Sequence, residues 1–247
     1  LISSGCPPNK IAILDNFCMG SPQNPEVLGD LVQACKACFD FAVEFETPFI
    51  SGKDSFYNEY KFENKTIAIP PTLLISAIGI MPNVEKLVSM DAKKAGNSIH
   101  VLGETFDEMG GSQYYLSRGA KGGKVPRVNA QKAKKLFESL HSAMAEGLVS
   151  SCHDLSDGGL GVTLAEMSFS GEKGMIIDLN KVPLGEKIER EDTLLFSESN
   201  TRFVVEVEKE LEKEFEEKLS GNTFAKIGEL TENDEILIKG LKGQHIV

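Results

Sequence analysis

The sequence predicts an α/β (α+β) fold in two parts, on three observations. Short β-branched runs, such as Ser98 to Leu102 and Arg202 to Val207, alternate with segments whose apolar residues recur at helical spacing. Mixed strands and helices of this kind pack as layers around a core. The balance shifts at Gly96 and Asn97, so that residues 1–95 read as the β-rich part and residues 96–247 as the helix-bearing part. With 247 residues, 41% hydrophobic and 26% charged, there is material for one large domain or two modest ones.

Composition also excludes function classes. A formal net charge of -11, from 37 acidic against 26 basic residues, argues against nonspecific binding to nucleic acid or to anionic membranes, since both require basic patches. No apolar run approaches the roughly 20 residues of a membrane span, and the opening LISSGCPPNK lacks the layout of a signal peptide. The five cysteines are odd in number and unevenly spaced, which points to a reducing compartment rather than a disulfide framework. A cytoplasmic protein is expected. Cys35 and Cys38 form a CxxC, but no second pair completes a metal site, and helix packing is the preferred reading. Cys152 and His153 are adjacent, and neighbours along a chain rarely point together.

The elements follow in order. Lys10 to Leu14 is a short strand ending at Asp15, followed by a polar loop and by a helix that Pro25 opens. Leu28, Leu31, Cys35, Cys38, Phe39 and Ala42 mark the apolar repeat of that helix. Gly52, Lys53, Asp54 and Ser55 combine a glycine, a cation, a carboxylate and a hydroxyl, the types used for phosphate and metal chemistry; alone they equally suit an exposed turn. They are no Walker A loop, because Asp54 follows Lys53 and Thr47 stands at the first glycine position. The apolar run from Thr66 to Met81 is broken by Pro70 and Pro71 and reads as a buried or subunit-facing strand.

In the second part, Ser98 to Leu102 is a strand, residues 119–123 a glycine-rich loop, and Asn129 the cap of a helix with Ala133, Leu136, Phe137, Leu140, Met144 and Leu148 in one stripe. Residues 174–179 form a strand, residues 184–192 an exposed acidic stretch, and residues 208–219 an amphipathic helix. Closing strands fall near residues 225–230 and 235–239.

Between them lies the stretch with the most chemistry, residues 150–171. His153, Asp154, Leu155, Ser156 and Asp157 meet Gly158 and Gly159, and then Leu160, Leu164 and Met167 fall on one helical face. Asp157 suits the N-cap, and a helix start with glycines suits an anion. Asp154 and Asp157 could present carboxylates to a magnesium ion bridging to phosphate. The alternative is a capped helix whose aspartates only close a turn.

Residues 153–171, HDLSDGGLGVTLAEMSFSG, resemble the signature of the synthetase-subunit family of phosphoribosylformylglycinamidine synthase, which belongs with aminoimidazole ribonucleotide synthetase in one superfamily. GKDSFYNEY at residues 52–60, GGSQY at 110–114 and LFSESNTRFVVEV at 195–207 are also similar to family segments. The resemblance implies that residues 1–95 are the later part of an N-terminal-type synthetase domain and 96–247 a C-terminal-type one. Together they are similar to the second of two such pairs, with a start inside a larger protein.

The family makes formylglycinamidine ribonucleotide from formylglycinamide ribonucleotide, using ATP, Mg²⁺ and ammonia released by a glutaminase subunit or domain. Carried over residue by residue, Asp15, Gly52 and Ser156 match nucleotide positions, Ser55 a substrate position and Asp154 a metal position. Lys53 is added on chemical grounds as a phosphate contact and Asp54 as a metal ligand. Lys53 stands where the small-type form has asparagine, and a protonated lysine is no magnesium ligand. The family's catalytic histidine region belongs to the first pair, so catalytic residues stay unassigned and this chain alone is expected to be inactive. A homodimer, or a pseudo-dimer with the first half, is implied. The alternatives are a noncatalytic structural nucleotide-binding module and a kinase of the same superfamily.

Overall fold

A computed structural model describes residues 1–243 together with the strand His245–Ile246. Contacts divide it into two compact units, one of Leu1 and residues 6–82, the other of residues 2–5 and 83–247.

In the first unit, β1 (Ile11–Cys18) leads through helix α1 (Pro25–Glu44) to β2 (Phe49–Ser55). Asn24 caps α1 by accepting the Glu26 N–H, and Pro25 occupies the first turn, where its missing donor costs nothing. β1 pairs in parallel with β2 and antiparallel with β5 (Thr72–Gly79), giving a three-stranded sheet in the order β2-β1-β5. A separate hairpin joins β3 (Glu59–Phe62) and β4 (Lys65–Ala68).

Several expectations change here. The first strand runs beyond Leu14 to Cys18, so Asp15 is interior to it. Residues 52–55 lie in a strand and not in a turn. The run from Thr66 to Met81 becomes two strands separated at Pro70 and Pro71, with β5 mostly exposed. Helix α1 contains no buried residue, and Cys35 is exposed, so the CxxC is not packed inside. The apolar faces are present, but the described residues bring little of their own to cover them.

The second unit is a seven-stranded sheet in the order β12-β11-β8-β10-β6-β9-β7. Its strands are β6 (Ser98–Leu102), β7 (Ser151–Asp154), β8 (Gly174–Asp178), β9 (Phe203–Val207), β10 (Phe224–Thr231), β11 (Ile236–Lys239) and β12 (His245–Ile246). Among the described residues, only the β11–β8 pair of this sheet is parallel. Alternation along β9 sends Val204 to one core and Phe203, Val205 and Val207 to another. The first core includes Leu160, Leu164 and Met167 of α4 (Gly159–Gly171) and Leu194 and Leu195 of α5 (Glu191–Phe196). The second includes Leu136, Leu140 and Met144 of α3 (Ala130–Ala145) and Phe215 of α6 (Glu212–Lys218). Helices therefore cover both faces of the sheet. Asn129 caps α3 by accepting the Lys132 N–H.

Two more differences bear on the site. The acidic stretch 184–192 is not simply an exposed face: Ile188 is buried, and Glu191 and Asp192 begin α5, where negative charge complements the helix dipole. A short helix, α2 (Gln113–Ser117), capped by Ser112, follows the Gly110–Gly111 segment.

Candidate functional site

β7 ends at Asp154, and the chain turns through Leu155 to Asp157 into α4. Three contacts hold this turn. The Leu155 N–H donates to the Arg202 carbonyl (3.0 Å), Thr163 Oγ1 donates to the Asp154 carbonyl (3.2 Å), and Gly158 takes the left-handed conformation at φ 82°. Gly158 and not Asp157 is the N-cap residue, and no side chain caps α4.

The N-cap donor of this helix start, the Gly158 N–H, is already paired within the chain. Glu198, in the LFSES segment, accepts the Gly158 N–H and the Gln113 N–H through the same oxygen, each at 2.8 Å. An anion does sit against these two donors, and it is a protein carboxylate. Gly159 brings the segments into contact: a Cβ there would lie 2.4 Å from the Ser197 carbonyl oxygen. The LFSES segment is held in turn by Arg202, whose guanidinium donates to the carbonyls of Ser199 and Ser197 and to Thr105 Oγ1.

Asp154 faces outward with half its side chain exposed. His153 Nδ1 lies 3.5 Å from Asp154 Oδ1, and His153 Nε2 lies 2.8 Å from Glu166 Oε2. The hydrogen bond to His153, more than any other cause, draws the Asp154 carboxyl down to about 2, while the same contact and Glu166 raise the His153 pKa against its burial. At neutral pH Asp154 is thus an ionised, half-exposed carboxylate. His153 is occupied in orienting it. Ser156 and Asp157 are exposed beside it. Cys152 is buried and its thiol is pushed well up by desolvation, so it is no nucleophile.

In the first unit, the parallel register pairs Asp15 with Gly52, Phe17 with Asp54 and Cys18 with Ser55. The Asp15 carboxylate lies directly over Gly52, where a Cβ would meet Oδ1 at 2.4 Å. Lys53 and Ser55 share the other face of β2, the Lys53 ammonium donating to Ser55 Oγ at 2.8 Å. The structure therefore gathers Asp15, Gly52, Lys53, Asp54 and Ser55 in one unit and Asp154 and Ser156 in the other.

A feature that sequence reasoning missed is a cavity of about 880 Å³ in the second unit. Glu104, Glu108, Lys124, Arg127 and Lys132 line it, and none of the seven expected site residues does. Glu108 is buried, with Oε1 accepting the Arg127 N–H. The glycine-rich stretch 119–123 contributes Gly123 to its wall, and the Lys124 carbonyl accepts the Gly110 N–H. Charges scattered over residues 104–132 carry no sequence spacing that would have revealed it.

Residues 94–239 match the family described as AIR synthase related protein, C-terminal domain. The chain belongs to that family. Within this AIR synthase related family, the chain is similar to phosphoribosylformylglycinamidine synthase subunit PurL of Methanocaldococcus jannaschii, at 39% identity over 213 residues, 85% of this chain and 29% of that one. The subunit of the same name from Limosilactobacillus reuteri is 35% identical over 245 residues, 99% of this chain and 31% of that one. The chain thus spans about a third of the length of these relatives. Its fold is shared with T. maritima PurL complexed with FGAR, at TM-score 0.74 and 19% identity over 100% of this chain and 39% of that one. T. maritima PurL complexed with ATP gives TM-score 0.69 at 17% identity, covering 100% and 37%. The mixed α/β architecture is that of AIR synthase related proteins.

Proposed function

We propose that this chain is the C-terminal part of an ATP-dependent C–N ligase that converts formylglycinamide ribonucleotide to formylglycinamidine ribonucleotide with glutamine-derived ammonia, in purine biosynthesis. The observation that carries this reading is sequence identity of 39% and 35% to subunits named for that synthase, the second match extending over 99% of the chain and so over both units. In this reading residues 1–95 are the later part of an N-terminal-type synthetase domain and residues 96–247 a C-terminal-type domain.

ATP and Mg²⁺ are the proposed cofactors. Magnesium prefers oxygen ligands, and the ionised, half-exposed Asp154 suits it, with Asp54 a second exposed carboxylate. Bound magnesium would offset charge on phosphoryl oxygens. Glu198 takes the Gly158 N–H, and the exposed Ser156 side chain is the proposed nucleotide contact at the α4 start. Asp15, Gly52 and Lys53 are the proposed nucleotide contacts of the first unit, and Ser55, oriented by Lys53, the substrate contact. A glutaminase subunit or domain is the partner that supplies ammonia, and a second copy or an equivalent pair of a longer parent covers the apolar face of the first unit. Five free thiols fit a cytoplasmic setting.

Calorimetric titration of the chain with ATP and Mg²⁺ tests the assignment. Saturable binding that Asp154→Ala weakens about tenfold, or about 1.4 kcal/mol, is expected. No heat at millimolar nucleotide, from protein shown to be folded by circular dichroism, would refute it. With formylglycinamide ribonucleotide, ATP, Mg²⁺ and free ammonia supplied, the 247-residue chain alone is expected to give no turnover. Turnover that Asp154→Ala abolishes would show that the chain carries a complete active site.

A further inference from the structure

On the face of the sheet opposite α4, His100 of β6 lies beneath α6 and is fully buried. The Phe215 ring, edge-on at 5.3 Å, fixes the imidazole from above. Nδ1 is 3.5 Å from Ser98 Oγ, and Nε2 has no hydrogen-bond partner among the described residues. Its nearest counterpart is Glu216 Oε1 at 3.6 Å, too long for a hydrogen bond. A buried nitrogen aimed at a carboxylate without a bond is unfavourable, and native interiors rarely leave such an atom unmatched.

Glu212 and Glu216 are one helical turn apart and face the same way. One ligand atom from each glutamate and one from His100 all lie within 4.8 Å of one another. We propose that His100, Glu212 and Glu216 bind a divalent transition-metal ion of the zinc class, which ties α6 to β6. A tetrahedral ion with bonds of about 2.1 Å holds its ligands about 3.4 Å apart, close to the 3.6 Å between His100 Nε2 and Glu216 Oε1. One imidazole with two carboxylates suits zinc and its neighbours in the first transition row, whereas magnesium and calcium favour oxygen-only shells. The cluster shares no residue with the proposed nucleotide site.

Lys226 is the built-in competitor. It is the cross-strand partner of His100, and its ammonium lies 2.9 Å from both Glu212 oxygens. An incoming ion must share Glu212 with this cation or displace it. Removing Lys226 therefore strengthens binding, and the Co²⁺ band distinguishes a coordinated ion from loose association with the carboxylates.

The test is a Zn²⁺ titration of the untagged chain against a chromophoric chelator, with Co²⁺ absorption as a readout of coordination geometry. Cys35 and Cys38 are replaced by serine in every variant, so that thiolates do not compete. One ion per chain is expected, with Glu216→Gln weakening binding about tenfold or more and Lys226→Met tightening it. The Co²⁺ visible band of a four- or five-coordinate site appears in the parent and is lost in Glu216→Gln. Glu216 is half exposed, so this variant keeps its fold, and His100, which packs in the core, need not be altered. Equal affinity of the parent and Glu216→Gln, or no saturable binding by the parent, would overturn the proposal.

Discussion

Arg202 is 1% exposed and makes all its hydrogen bonds to the chain itself. Burial lowers its pKa to about 10, with Glu108 and Glu198 opposing the shift, so it stays charged at neutral pH. Its planar fork reaches two carbonyls and a hydroxyl at once, and a lysine ammonium cannot reproduce that geometry. Arg202→Lys is expected to lower stability by about 2–4 kcal/mol, read as an earlier thermal midpoint. Glu206, fully buried, is its counterpart: one carboxylate accepts the N–H groups of Lys93 and Lys94, the Asn97 amide and the Ser151 hydroxyl.

Asp192 supplies a pH test at the same scale. Its carboxyl is held below 3.8, mainly by the hydrogen bond from Arg190. A carboxyl depressed on folding stabilises the native state above its unfolded value and loses that contribution as pH falls through the folded one. The stability gap between the parent and Asp192→Asn, about 1 kcal/mol or less for such a partly exposed pair, should be constant above pH 5 and close below pH 3.8. Urea denaturation at stepped pH measures it. A gap that widens in acid would assign the stabilisation elsewhere.

Among the elements, α4 shows best how function-like sequence can serve architecture. Gly158 and Gly159 read as permitting a ligand to approach the backbone, and their closest approaches are internal. Gly158 packs against Val162, and Gly159, at φ 62°, against the Ser197 carbonyl. An alanine at 159 meets both a left-handed backbone and a carbonyl oxygen, so Gly159→Ala should cost at least about 2 kcal/mol. It should also disturb the Glu198 hydrogen bonds, weakening nucleotide binding more than the loss of stability alone explains. Paired thermal and calorimetric titrations separate the two effects. The α4 register itself was legible, because Leu160, Leu164 and Met167 are all essentially buried. Helices α2 and α5 were not, since neither is long enough for a 3.6-residue repeat to declare itself.

For the whole molecule, the two units differ in how completely they bury their apolar residues. The second has two cores, one on each face of its sheet. In the first, only Cys6, Phe17 and Met19 are buried hydrophobics, while Val32, Phe39 and Val43 of α1 and Leu74 and Ile78 of β5 are well exposed. Exposed apolar side chains in this number motivate a self-association test. Sedimentation velocity is expected to show species heavier than the 26.9 kDa monomer, growing with concentration. Replacing Leu74 and Ile78 by Lys should shift the distribution toward monomer. A single monomeric species throughout would contradict self-association.

The sequence sets the fold class, the strands β6, β8, β9, β10 and β11 and the helices α1, α3 and α4, because periodicity and local signals such as Pro25 and the Asn129 cap need no distant partner, whereas β2, β3 and β7 carry no such pattern. The HDLSDGG, GKDS and LFSES segments could likewise be found from residue types alone. Which groups meet is set by packing in three dimensions. Glu198 reaches the α4 start across 40 residues, Arg202 reaches Thr105 across 97, and His100 faces Glu216 through the packing of α6 on β6. Such partners are set by sheet order and by helix docking. No spacing along the chain encodes them, and that is why the carboxylate at Gly158 and the buried imidazole emerge only once the strands are paired.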